Sequence, residues 1–140
     1  MNLRSTKGFT LIELVLVIAL LGILAVAALP NIFNISLTTA RTNARDAVVG
    51  AVQTGLSLYA ASQISQGNAE SYPATLDAVA DATACSQANQ CFSTIVKGGV
   101  TRGWTKVDAD CYQYTDGGDN SYYQYSTASG TFAYVAATCG

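Results

Sequence analysis

The chain opens with a polar stretch that ends at Gly8, then runs from Phe9 to Leu29 with only Thr10 and Glu13 as polar side chains. No charged residue follows Glu13 until Arg41. This all-apolar run predicts a helix, and at about 1.5 Å rise per residue it reaches the thickness of a bilayer core. Beyond Pro30 the pattern turns amphipathic. Phe33, Leu37, Ala40, Ala44, Ala47, Val48, Ala51, Gly55 and Leu58 recur at steps of three or four, with Asn34, Thr38, Arg41, Arg45 and Gln53 largely on the other side. That stripe needs a partner surface, and a sheet from the same chain is the economical one. The helical pattern fades near Ser62–Gln66, and Gly67-Asn68 marks a stop.

Residues 65–90, rich in Ala, Asn, Asp and Ser, read as a connecting loop with a short helix over Thr75–Ala82. Strand signals follow at Phe92–Lys97, ended by Gly98-Gly99, and at Trp104–Val107. Cys111–Thr115, Ser121–Ser126 and Thr131–Ala136 read as a meander joined by Gly-containing turns. Within it Tyr112 and Tyr114 alternate with Cys111 and Gln113, and Tyr123 and Tyr125 with Tyr122 and Gln124. One face is expected to cover the helix and the other to meet solvent or neighbouring subunits. The expected fold class is α+β: a long N-terminal helix whose C-terminal half packs on an antiparallel sheet of about four strands.

Charge refines the N-terminal reading. Arg4 and Lys7 precede Gly8, and a lone Glu13 inside an apolar helix is costly to bury, so it marks a functional site whose partner is a cation at the same depth. A conventional export signal would also begin with basic residues and end at a small-residue site such as Ala25-Val26-Ala27. Glu13 argues against it, because an early charge weakens such a signal.

Lys7-Gly8-Phe9-Thr10-Leu11-Ile12-Glu13, after a short basic leader and before a long apolar helix, resembles the N-terminal signature of type IV pilins and the related pseudopilins. The resemblance is specific over Lys7 to Pro30 and architectural beyond. It implies a leader, 1–8, removed by a prepilin peptidase between Gly8 and Phe9, and N-methylation of Phe9. It implies a membrane-spanning and assembly segment, 9–30, and a globular head, 31–140. It implies pairing of Glu13 with an N-terminal amine during assembly of a helical homopolymer, aided by pilus assembly machinery. The precursor then belongs in a bacterial inner membrane and the product in an extracellular fimbrium. Gly22 and Pro30 weaken the helix, and the resemblance implies that the segment around Pro30 loses helicity when subunits pack. The VIALLGILAVAALP wording and the C-terminal cysteines resemble surface pilins, the mannose-sensitive haemagglutinin-like group among them, more than pseudopilins of type II secretion. A membrane-anchored binding domain that never polymerises is the alternative from another class.

The remaining chemistry is sparse. There is no histidine, which removes His-based acid–base catalysis and His-containing metal sites. No nucleophile–base constellation, phosphate-binding loop or cofactor motif stands out, so no enzyme, cofactor or metal is expected. Residues 9–140 carry five basic and nine acidic side chains, which does not suit bulk nucleic-acid binding. Cys85, Cys91, Cys111 and Cys139 form an even set that in an exported chain suggests two disulfides, with three connectivities open. Cys85–Cys91 with Cys111–Cys139 is preferred, since one closes a short polar loop and the other ties down the chain end. Six of eight tyrosines fall between Tyr112 and Tyr134 and are read as sheet-forming residues in preference to an adhesive surface. Asp116-Gly117-Gly118-Asp119-Asn120 offers oxygen ligands suited to calcium but lacks an EF-hand's spacing and reads as a turn.

Overall fold

The computed structural model describes residues 8–139, without the side chains of 29–36. The expected leader, 1–8, therefore lies outside the described residues except for Gly8, and so does the Pro30 side chain. Helix α1 covers Leu11–Ser65. Five strands follow in chain order: β1 (Thr83–Ala84), β2 (Trp104–Asp108), β3 (Cys111–Tyr114), β4 (Ser121–Ser126) and β5 (Thr131–Val135). They form one antiparallel sheet in sequential order, a pure meander. The chain divides into two units at Thr39/Ala40, described separately below.

The helix stops where Gly67 takes φ 83°. Gly67 N–H donates to Ile64 O at 3.0 Å and Asn68 N–H to Gln63 O at 3.0 Å. This pair of bonds is the Schellman closure, and the left-handed residue at its centre suits glycine.

In the second unit the core joins the helix to the inner face of the sheet. Val52, Leu56, Trp104, Tyr112, Tyr114, Tyr123, Tyr125 and Phe132 are buried in one cluster. The strand alternation places Tyr112, Tyr114, Tyr123 and Tyr125 on the core face, with Gln113 and Gln124 opposite. Rings pack at short range: Phe92–Tyr112 centroids lie 4.4 Å apart, and Trp104 lies 5.3 Å from both Tyr114 and Tyr123. The tyrosine concentration is thus largely interior. Tyr122, half-buried on the opposite face, and Tyr134, at 61% exposure, are the exceptions.

Several expected elements differ. The helix face turned to the sheet carries Val52, Gly55, Leu56 and Ala60, with Val48 and Val49 beside them. Leu37, Ala40, Ala44, Ala47, Ala51 and Leu58, also placed on the packed stripe, are exposed. Two overlapping phases of three-and-four spacing run along this Ala-rich helix. The phase carrying the branched Val48, Val52 and Leu56 removes more apolar area from water and wins the core.

Phe92–Lys97 is not a strand. Val96 N–H donates to Phe92 O at 2.8 Å, Phe92 has φ 60°, and its ring is fully buried. Thr75–Ala82 is not a helix, because the Asp77 carboxylate takes the Val79 N–H at 3.1 Å and holds the backbone in a turn. The two-residue β1 was too short to signal itself, and it raises the expected four strands to five.

Candidate functional site

In the first unit the helix begins with a reciprocal cap. Thr10 N–H donates to Glu13 Oε2 at 2.9 Å and the Thr10 hydroxyl donates to the same oxygen at 2.8 Å, while Glu13 N–H reaches Thr10 Oγ1 at 3.4 Å. This is a capping box with Thr10 at the N-cap and Glu13 at the third helical position. The T-x-x-E spacing carries that signal in the sequence, and reading Glu13 only as a lone buried charge overlooked Thr10. The carboxylate also lies at the positive end of the helix dipole, where an anion is stabilised.

Around that cap every large apolar side chain faces outward. Phe9 is 88% exposed, and Leu11, Ile12, Leu14, Leu16, Leu20, Ile23 and Val26 are all exposed. Leu11–Ala28 is long and apolar enough to cross a membrane, with a mean hydropathy of 2.9 and none of it buried within the chain. Gly8 meets no other atom where a side chain would stand, so the chain around the Gly8–Phe9 bond is open. Gly22 likewise has open space around it, and α1 is assigned through both Gly22 and Pro30. So much uncovered apolar surface needs lipid or other apolar helices to shield it.

The cysteines pair as Cys85–Cys91, with Cα atoms 5.5 Å apart, and Cys111–Cys139, at 5.8 Å. The first pins the loop before β2 and the second ties the chain end to the start of β3. The Asp116–Gly118 turn is 3-10 helical. Its carboxylates face helix α1: Arg41 Nε stands 3.7 Å from Asp116, and Arg45 Nη1 is 2.7 Å from Asp119, which also accepts the Ser121 hydroxyl. Guanidinium groups from the helix therefore occupy the oxygen cluster considered for calcium. Tyr114 adds a bond from its hydroxyl to Arg41 O at 3.0 Å.

A polar centre missed in the sequence lies inside the head. Asp77 and Lys106 are buried together, with Lys106 Nζ 3.0 Å from Asp77 Oδ1. Asp77 Oδ2 accepts the Tyr112 hydroxyl at 2.8 Å and the Phe92 N–H at 2.9 Å. Neither residue stands in a motif, and 29 positions separate them.

Residues 3–29 match the family described as the prokaryotic N-terminal methylation motif. The chain is also similar to the type IV wide pilus major component PilA4 of Thermus thermophilus, 51% identical over 49 residues, which is 35% of this chain and 34% of that protein. The matched part thus spans about a third of the relative's length. No solved structure matches the chain. Both matches fall on the N-terminal segment, over which the chain is similar to type IV pilins, and an α+β head follows that segment.

Proposed function

We propose that this chain is a structural subunit that polymerises into a type IV pilus fibre. The observation that carries the reading is the apolar helical face from Phe9 to Val26, exposed on all sides and interrupted by one carboxylate at Glu13. A prepilin peptidase removes 1–8 at Gly8–Phe9, Phe9 is methylated, segment 9–30 waits in the inner membrane, and 31–140 forms the outer head. Similarity to a pilus component of Thermus thermophilus supports the same assignment. Pilus assembly machinery then moves the subunit from membrane to fibre, and the outcome is a surface appendage with no catalytic role.

Within the fibre the helices associate through apolar burial. Glu13 supplies register. A neighbour docked at the right height presents its Phe9 ammonium to the carboxylate, and a neighbour out of step leaves both charges buried and unpaired, a penalty of about 3–5 kcal/mol. Glu13 has two separable tasks, capping its own Thr10 N–H and pairing with that amine.

Substitution separates them. Glu13→Gln keeps an acceptor for the Thr10 N–H but loses the charge, and Glu13→Val loses both. With either variant as the only subunit supplied, we expect normal expression and membrane insertion and no sheared surface fibres. Fibres of wild-type abundance from Glu13→Gln would remove charge pairing from the mechanism. A chain found only as a membrane monomer in the wild type would replace the fibre reading with an anchored binding domain.

A further inference from the structure

The buried Asp77–Lys106 pair belongs to nothing the fibre reading uses. Asp77 stands in the loop before β1 and Lys106 in the middle of β2, and their side chains are 0% and 5% exposed. The two carboxylate oxygens differ in surroundings. Oδ1 receives the Lys106 amine at 3.0 Å and the Val79 N–H at 3.1 Å. Oδ2 receives the Phe92 N–H at 2.9 Å and the Tyr112 hydroxyl at 2.8 Å. One oxygen thus touches the nucleophile, and the other is held by two donors fixed by the fold.

Condensation consumes both charges of the pair, so burial, which penalises charged groups, favours a neutral amide over the ion pair. The amine nitrogen and the carboxyl stand together in a site closed to water. Reactants fixed in this way reach effective concentrations on the order of 10⁵–10⁸ M, which favours condensation over separate groups in solvent. Exclusion of water then protects the product from hydrolysis.

We propose that Lys106 and Asp77 condense to an intramolecular isopeptide bond inside the folded head. Lys106 Nζ attacks Cγ of Asp77, and the C–N bond forms as negative charge gathers on Oδ2. There the Phe92 N–H and the Tyr112 hydroxyl hold it, as an oxyanion hole does. The C–Oδ1 bond breaks, and Oδ1 departs as water with the two protons that the ammonium gives up. The nitrogen keeps its third proton as the amide N–H, so the step needs no oxidant, reductant or cofactor. Burial and the Asp77 charge push the Tyr112 phenol well above its ordinary value, so its hydroxyl remains a donor throughout. The bond would fasten the loop before β1 to β2 in a form that reduction of the neighbouring Cys85–Cys91 cannot undo.

Peptide mapping of the full chain, purified from membranes and digested with trypsin, decides the matter independently of any fibre. Condensation blocks cleavage after Lys106 and yields residues 46–97 joined to 103–140, lighter by one water than the two peptides together. Lys106→Arg keeps a cation beside Asp77 and should give separate peptides. Tyr112→Phe removes one donor from Oδ2 and should lower the joined fraction at least tenfold early after synthesis. Separate 46–97 and 107–140 peptides from the wild-type chain would overturn the proposal, and a Tyr112→Phe chain condensing as fast as wild type would overturn the role given to that hydroxyl.

Discussion

Asp77 shows how one side chain can organise a region that has no regular structure. Its carboxylate accepts from two backbone N–H groups, a lysine and a tyrosine, and so ties the loop before β1 to β2 and β3. Asp77→Ala leaves the Lys106 ammonium buried and unpaired, so the head should lose about 3–5 kcal/mol, read by denaturant unfolding of the detergent-solubilised chain. Tyr125 offers a pH test. Burial first, and the charge of Asp110 next, push its phenol up to about 12, while its hydroxyl donates to Pro73 O at 2.7 Å. A group whose folded value is raised contributes stability fully present below its unfolded value near 10 and lost as pH rises through the folded one. Stability should therefore fall between about pH 10 and 12, and Tyr125→Phe should flatten that part of the profile. Gly130 is required for two reasons: φ is 63°, and a Cβ there would run into the Tyr72 ring. Gly130→Ala should cost more than about 1 kcal/mol in the same unfolding assay.

At the level of elements, the helix is legible from end to end, and its two termini follow from local chemistry. Thr10→Ala removes the N-cap and should fray the first turn by about 0.5–2 kcal/mol, seen as faster amide exchange over residues 11–14 in micelles. The meander is legible as well, because inward tyrosines alternate with outward glutamines on β3 and β4. Phe92–Lys97 misleads for a physical reason. A short apolar run looks the same whether it extends or folds over its own first residue, and here the distant Asp77 carboxylate captures Phe92 N–H. The Cys111–Cys139 bridge spans 28 residues and ties the chain end to β3. Cys111→Ser should cost about 3–4 kcal/mol on loop-entropy grounds, checked by thermal unfolding and non-reducing peptide mapping.

At the level of the whole molecule, an apolar N-terminal unit precedes a self-contained head, and the fibre reading assigns them to assembly and display. Gly8→Asp places a charged side chain at the leader junction and should leave the precursor uncut in the membrane. Mass spectrometry of the mature N-terminus checks this, and a chain beginning near Ala28 would point to an ordinary export signal. The N-terminal segment, the candidate site and the α+β class follow from the sequence by itself, since length, hydropathy and the spacing Gly8-Phe9 to Glu13 are local properties. The Thr10–Glu13 cap was equally local and readable. Tertiary structure decided which phase of the Ala-rich helix is buried, where Arg41 and Arg45 point, and that Asp77 meets Lys106. Each of these depends on groups brought together from distant positions, with the winner set by the apolar area or charge left uncompensated in the alternatives.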